Sequence, residues 1–198
     1  MSGSGSPAAT LAGRFLVAAP SMPDERFQKS VVYLCKHDDD GALGIIVNNK
    51  VEDLPLAQVY KQLGIEVPNA SAERPVLFGG PVETSRGLVL HSADYRREET
   101  LIIDGEMALT ASLEILKDMA GGKGPQHAWL ALGHSGWAPG QLDREMQDNA
   151  WLVVDGDPAL VFDPDFPAKW QRALDRLGKA SSGGTLDPAK FSPHAGRA

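Results

Sequence analysis

Two apolar, β-branched runs close together near the start of the chain constrain the fold more than any other feature. Residues 30–36 (SVVYLCK) and residues 42–48 (ALGIIVN) are separated only by His37-Asp38-Asp39-Asp40-Gly41. Such runs read as strands, and a short polar connection holding a glycine reads as the turn of a hairpin. Gly41 supplies the positive φ that the turn needs.

The rest of the chain continues to alternate apolar runs with turn signals. Residues 14–19 (RFLVAA) read as a strand ended by Pro20 and Pro23. Leu56, Val59, Tyr60 and Leu63 recur at i, i+3, i+4 and i+7, which predicts a short amphipathic helix with Asp53 as N-cap and Gly64 as its stop. Further strands are expected at residues 75–78, 87–91, 100–104, 128–132 and 151–155. Helices are expected at residues 111–120, with Thr110 or Ser112 as cap, and at 142–149. A last helix over residues 166–177 buries Trp170, Ala173, Leu174 and Leu177 and stops at Gly178. Strands occur both in hairpins and beside helices, so the fold class is α+β, a mixed sheet in a single domain over residues 11–179. Residues 1–10, rich in Gly, Ser and Ala, read as disordered. Residues 180–198 read as a loose tail whose Phe191 is able to dock back.

A chain of 198 residues can bury roughly 70% of the surface that its unfolded form exposes, so it folds without a metal or a disulfide. Cys35 is its only cysteine, which rules out an intramolecular disulfide or a cysteine cluster and reads as a buried structural thiol in a reducing compartment. The formal net charge of −7 repels phosphate backbones, so direct nucleic-acid binding is not expected. No window approaches the ~18 consecutive apolar residues of a membrane span, and the first residues lack a basic leader, so the cytoplasm is the expected location.

The densest turn chemistry lies at residues 132–142, where Gly133, Gly136 and Gly140 follow a strand and open a helix. Glycines allow close backbone approach, and a helix start presents free N–H groups. One reading is therefore a small-anion pocket with Ser135 and Gln141 contributing hydrogen bonds. The other is a plain turn in which Trp137 plugs the core. Gly133-His134-Ser135-Gly136 fails as a nucleophile elbow because Trp137 stands where a small residue is needed. Gly79-Gly80-Pro81, with Arg86 and His91 beyond, forms a second glycine turn that could line the same cleft. The five histidines show no metal-ligand spacing, Asp38-Asp39-Asp40-Gly41 lacks the spacing of a calcium loop, and Gly121-Gly122-Lys123-Gly124 fails as a phosphate loop. No metal or cofactor is implied. Lys169, Arg172, Arg176 and Lys179 recur at i, i+3, i+7 and i+10 on the last helix, as a basic outer stripe that would suit an anionic partner or simply face solvent.

Several strings together resemble the YqgE/AlgH family of bacterial proteins. They are residues 11–20 (LAGRFLVAAP), 30–35 (SVVYLC), 41–48 (GALGIIVN), 78–82 (FGGPV), 86–91 (RGLVLH), 136–142 (GWAPGQL) and 149–152 (NAWL). The resemblance covers about residues 11–178. The chain departs from the family's usual pattern at Lys36, at Asn49-Lys50 and at His134-Ser135, and the last departure argues against Ser135 as a family-wide nucleophile. The resemblance implies a bent or bifurcated sheet surrounded by short helices. It says little about activity, one branch being described as a transcriptional regulator of exopolysaccharide production. Nothing here resembles a helix-turn-helix, so such regulation would act indirectly. Two functions remain open: a non-enzymatic regulatory or interaction protein with an unknown protein partner, or a small-molecule-binding protein or enzyme with its site at the glycine-rich segments.

Overall fold

A computed structural model of the protein describes residues 9–67 and 73–180. The segments read from the sequence as a disordered start and a loose tail with Phe191 fall mostly or wholly outside the described residues. The hairpin forms as expected, with β2 (Val31–Asp38) paired antiparallel to β3 (Gly41–Ile46) and Gly41 at φ 128°. β1 (Phe15–Ala18) lies on the other side of β2, with β10 (Trp151–Val154) beyond it. All of β1 and the first five residues of β2 are buried, which is why both read as unbroken apolar runs. Strands covered on both faces have no solvent side to alternate with.

Successive side chains still go to opposite faces. Phe15, Val17, Tyr33 and Ile45 enter one core with Trp129 and the last helix, α5 (Lys169–Ala180). Leu16, Ala18, Val32, Leu34 and Ile46 enter another with Trp137, Leu142 and Trp151. A third core lies under α1 (Leu56–Gln62) and α2 (Leu113–Ala120).

The strand that ties the ten-stranded sheet together is β9 (Ala128–Trp137). It pairs antiparallel with β6 (Val82–Ser92), parallel with β5 (Pro75–Phe78), and at its end antiparallel with β3. Outside β6 lie β8 (Met107–Thr110) and β7 (Leu101–Ile102), while β4 (Lys50–Pro55) pairs with β5. The parallel β5–β9 ladder makes the sheet mixed, and with the helices the fold is α+β. Between β9 and β10 runs α3 (Gln141–Gln147), and α4 (Pro158–Val161) precedes a 3-10 turn at Phe166–Ala168 that leads into α5. Among the described residues no helix is long and apolar enough to cross a membrane.

Several features differ from the sequence reading. β4, β8 and α4 went unread because stretches of four to six residues, without clean alternation, set no period. Asp53 does not cap α1; it sits within β4 at φ 54°, and the helix starts two residues after it from Pro55. Residues 133–137 are not a loop but the last half of β9.

The basic stripe on α5 does not form, and this is the largest correction. Lys169 shares its face with Ala173, one turn on, and both are fully buried. Its Nζ donates to the carbonyl oxygens of Val47 and Val161, each at 2.8 Å, and lies 4.3 Å from the centre of the Phe166 ring. Arg172 is tied to Asp163 and Asp165, and Arg176 to Asp157. The Lys179 side chain lies outside the described ones. Three of the four cations are therefore held by the chain's own acceptors.

Candidate functional site

The glycines at the turn after β5 and in the middle of β9 serve a backbone crossing. A Cβ on Gly79 would strike the Gly133 carbonyl, one on Gly80 the His134 carbonyl, and one on Gly133 the Gly80 carbonyl. Gly133, at φ 72°, also carries β9 through a bulge where its register with β6 shifts. The two chains touch at the crossing, so those three glycines leave no room for a ligand between them. Behind the crossing Ser135 is fully buried, and its hydroxyl donates to the Gly79 carbonyl oxygen at 3.2 Å. His134 precedes it on the strand and so projects from the opposite face. The pair is thus not arranged as nucleophile and base.

His134 is itself mostly buried, with Nδ1 3.8 Å from the Glu83 carboxylate, and burial lowers its pKa. Arg86 is exposed and paired with Glu83 at 3.3 Å. His91 lies far from all of these. It pairs in register with Ala128, six residues along β9 from His134, or roughly 20 Å at the rise of a strand. Its buried ring meets the Thr110 hydroxyl and the Ser92 carbonyl oxygen, each at 2.8 Å, so it belongs to the interior of the β6–β8 ladder. The expected single cleft is therefore divided.

Part of it does assemble. Where β9 ends, Pro81, Gly136, Trp137 and Gln141 line a cleft of about 250 Å³. Gly140, at φ 70°, turns the chain from β9 into α3 and brings that helix against the cleft. The opposing wall comes from the segment between β1 and β2, with Met22, Asp24, Arg26 and Phe27, and from Trp151 at the head of β10. The aromatic rings support one another: Phe27 stacks with Trp137 at 6.5 Å between centres and meets Trp151 edge-on at 5.5 Å. The two indoles meet edge-on at 5.9 Å.

One carboxylate organises this cluster. Glu145 Oε2 accepts the indole N–H of Trp137 at 2.9 Å and that of Trp151 at 2.8 Å. Its Oε1 accepts from Gln141 Nε2 at 3.0 Å, the two residues standing one helical turn apart. Gln141 Oε1 in turn accepts the Ala138 N–H at 3.0 Å, which ties α3 to the end of β9. At the rim, Arg26 donates to Asp24 at 3.0 and 2.7 Å and lies 5.7 Å from the centre of the Phe27 ring. That hydrogen bond holds the Asp24 carboxyl below its ordinary pKa. Among the described residues no cation lies within 4.0 Å of Glu145 or of exposed Asp148, which also lines the cleft. The charges are the reverse of those a small-anion pocket would need.

Met22, Phe27, Glu145 and Trp151 were not singled out from the sequence. Only Glu145 carried a signal, its i+4 spacing from Gln141; the others meet the cleft through long-range packing. A wider hollow of about 720 Å³ lies where the β4–β5 register breaks, lined by residues such as Asn49, Glu52 and Phe78. Among the described residues no three His, Cys, Asp or Glu side chains could hold a metal ion.

Comparison with known proteins agrees with the fold. A UPF0301 protein of Methylobacterium sp. (strain 4-46) is 47% identical over 204 residues, covering 99% of this chain and 94% of its own length. One from Rhodospirillum rubrum is 45% identical, covering 95% and 94%. The solution structure of the AlgH protein from Pseudomonas aeruginosa superposes with a TM-score of 0.75 at 36% identity over the whole of both chains. A crystal structure of a protein from Corynebacterium diphtheriae, at 22% identity and a TM-score of 0.70 over 87% and 90% of the two chains, shares the fold. The DUF179 family, described as AlgH-like, matches residues 15–182, and the chain belongs to it.

Proposed function

We propose that this is a non-enzymatic interaction protein with a regulatory role, and that it engages a protein partner at the cleft between Phe27, Trp137 and Trp151. The observation that carries this reading is the mutually packed aromatic cluster, hydrogen-bonded through Glu145, beside a charged rim. Rigid aromatic groups next to a polar rim are what anchor protein interfaces. The cleft, at about 250 Å³, falls below the roughly 300–1,000 Å³ of small-molecule sites, which favours a partner's side chain over a metabolite. The hydrogen bond of Ser135 to the Gly79 carbonyl favours binding over acyl transfer. Net charge −7 and the acidic rim oppose a phosphate backbone, so regulation runs through a protein partner and not through DNA. The cytoplasm suits this role, since a lone cysteine such as Cys35 stays reduced there.

The test is in-cell photo-crosslinking from a photoreactive phenylalanine at Pro23, an exposed residue of the cleft wall. Lys117, exposed on α2, serves as the control position. The expected result is a discrete adduct from position 23 that weakens when Phe27→Ala is added. Equal adducts from both positions, or indifference to Phe27→Ala, would remove the cleft from the account.

A further inference from the structure

We infer that the cleft takes an arginine side chain of the protein partner, the guanidinium stacking on the aromatic wall and meeting the carboxylates of Glu145 and Asp148. This rests on the interaction reading above and names the chemistry of its partner.

Glu145 is a half-buried anion held by three neutral donors and by no cation among the described residues. Its position is fixed while its charge remains uncompensated. A carboxylate offers about four lone-pair sites, so three hydrogen bonds leave room for one more. Both indole N–H groups are already used on Glu145 and both indoles are buried, so the ring surface left for a visitor is that of half-buried Phe27 and the small part of the indoles that lines the cleft. Ring faces attract cations, and more so where water is partly excluded. Exposed Asp148 adds a second uncompensated carboxylate on the same wall.

Arginine fits this set better than lysine. Its planar guanidinium stacks on a ring and forks onto carboxylate oxygens at the same time, whereas an ammonium is a compact, strongly hydrated point charge. The cleft already contains one such contact: Arg26 lies over the Phe27 ring while its hydrogen bonds go to Asp24. That guanidinium is committed to its own partner, so the inner carboxylate is left for another. The overall charge of −7 would also draw a basic segment towards the protein.

The experiment is an NMR titration of the isotopically labelled full chain, observing the four indole N–H signals. Trp137 and Trp151 report on the cleft. Trp129 and Trp170, bonded to the carbonyl oxygens of Val161 and Ala18, serve as internal controls. The probes are capped tripeptides Gly-X-Gly with X as arginine, lysine, glutamate or citrulline, the neutral isostere of arginine. The arginine peptide should shift the Trp137 and Trp151 signals saturably and leave the other two in place. Citrulline should bind at least about tenfold more weakly, as should the arginine peptide to Asp148→Asn or Glu145→Gln. Asp148 is exposed, so its variant keeps the test alive if Glu145→Gln fails to fold. Equal binding of citrulline and arginine overturns the inference, as does a response spread over all four indoles. Binding of agmatine, the free small-molecule guanidine, without binding of the arginine peptide also overturns it. If the peptide fails while crosslinking from position 23 succeeds, the interaction reading stands and only the arginine assignment falls.

Discussion

Two of the aromatic settings in this protein, one under α5 and one at the end of β9, differ in how they treat a positive charge. Under α5, Lys169 fills its own: Nζ lies against Phe166, 5.6 Å from the centre of Trp129, and donates to two carbonyl oxygens. At the end of β9, Phe27, Trp137 and Trp151 surround a carboxylate, and the described residues supply that carboxylate with no cation. The first setting is closed and fully buried; the second is open at its rim. The closed one sets a lysine amine against aromatic rings and satisfies it with the chain's own carbonyl oxygens. The open one has the rings and the anion ready and leaves the cation to a partner.

The largest test of the contrast is to empty the closed setting. Lys169→Ala removes a fully buried side chain and strips the Val47 carbonyl oxygen of its lysine donor, which should cost about 2–5 kcal/mol in urea unfolding. Arg172→Ala, on the same helix but exposed, should cost less than ~1 kcal/mol. Comparable losses from the two would mean that the closed setting contributes no more than a surface ion pair.

A finer test uses pH. Burial pulls the Lys169 amine down to about 7, a shift that Asp163 partly opposes. Above that pH the folded protein has released this proton, while the unfolded chain holds it until pH ~10.4. Stability should therefore rise with pH through this window, by up to about 1.4 kcal/mol per unit, and flatten below about 7. Lys169→Met keeps the volume and removes the titration. The gap in unfolding free energy between wild type and this variant should widen from pH 7 to 10; a constant gap would mean that the lysine stays charged when buried.

Lys169 also marks where sequence reading stops. The hairpin, the buried runs of β1 and β2, and the face of α1 that buries Leu56 and Tyr60 were legible because each is set by neighbours within a few residues. Leu63, read onto the same face, lies past the helix end and is exposed. A lysine spaced with arginines on a helix reads as solvent-facing, and nothing local says that the Val47 carbonyl, 122 residues away, waits for it. The cleft divides in the same way. Trp137, Gln141 and the glycine turns stood out by their punctuation, but Phe27 and Trp151 reach the site through packing across β1 and β2. His91 was misplaced because a strand of 11 residues puts its two ends far apart.

In the open setting, Glu145→Ala should cost about 1–3 kcal/mol, since it leaves the indole N–H groups of two buried tryptophans without their acceptor. Glu145→Gln keeps one carbonyl oxygen for them and should cost less. If the two variants were equally stable, the carboxylate would not be holding the indoles in place.

The smallest effect on stability should come from Phe27→Leu, and it separates the two settings most directly. Phe27 is half-buried, and the change keeps an apolar side chain while removing its contacts with Trp137 and Trp151. Such aromatic pairs are worth about 0.5–1.5 kcal/mol each beyond burial, and partial exposure keeps the total near the lower end. Phe166→Leu makes the same chemical change under Lys169, where the ring is buried and lies 4.3 Å from the amine, and should cost more. Binding of the arginine peptide should show the opposite order, weakened by Phe27→Leu and untouched by Phe166→Leu. That crossing of effects would separate a ring kept for the fold from a ring kept for a visitor, because packing alone would move stability and binding together.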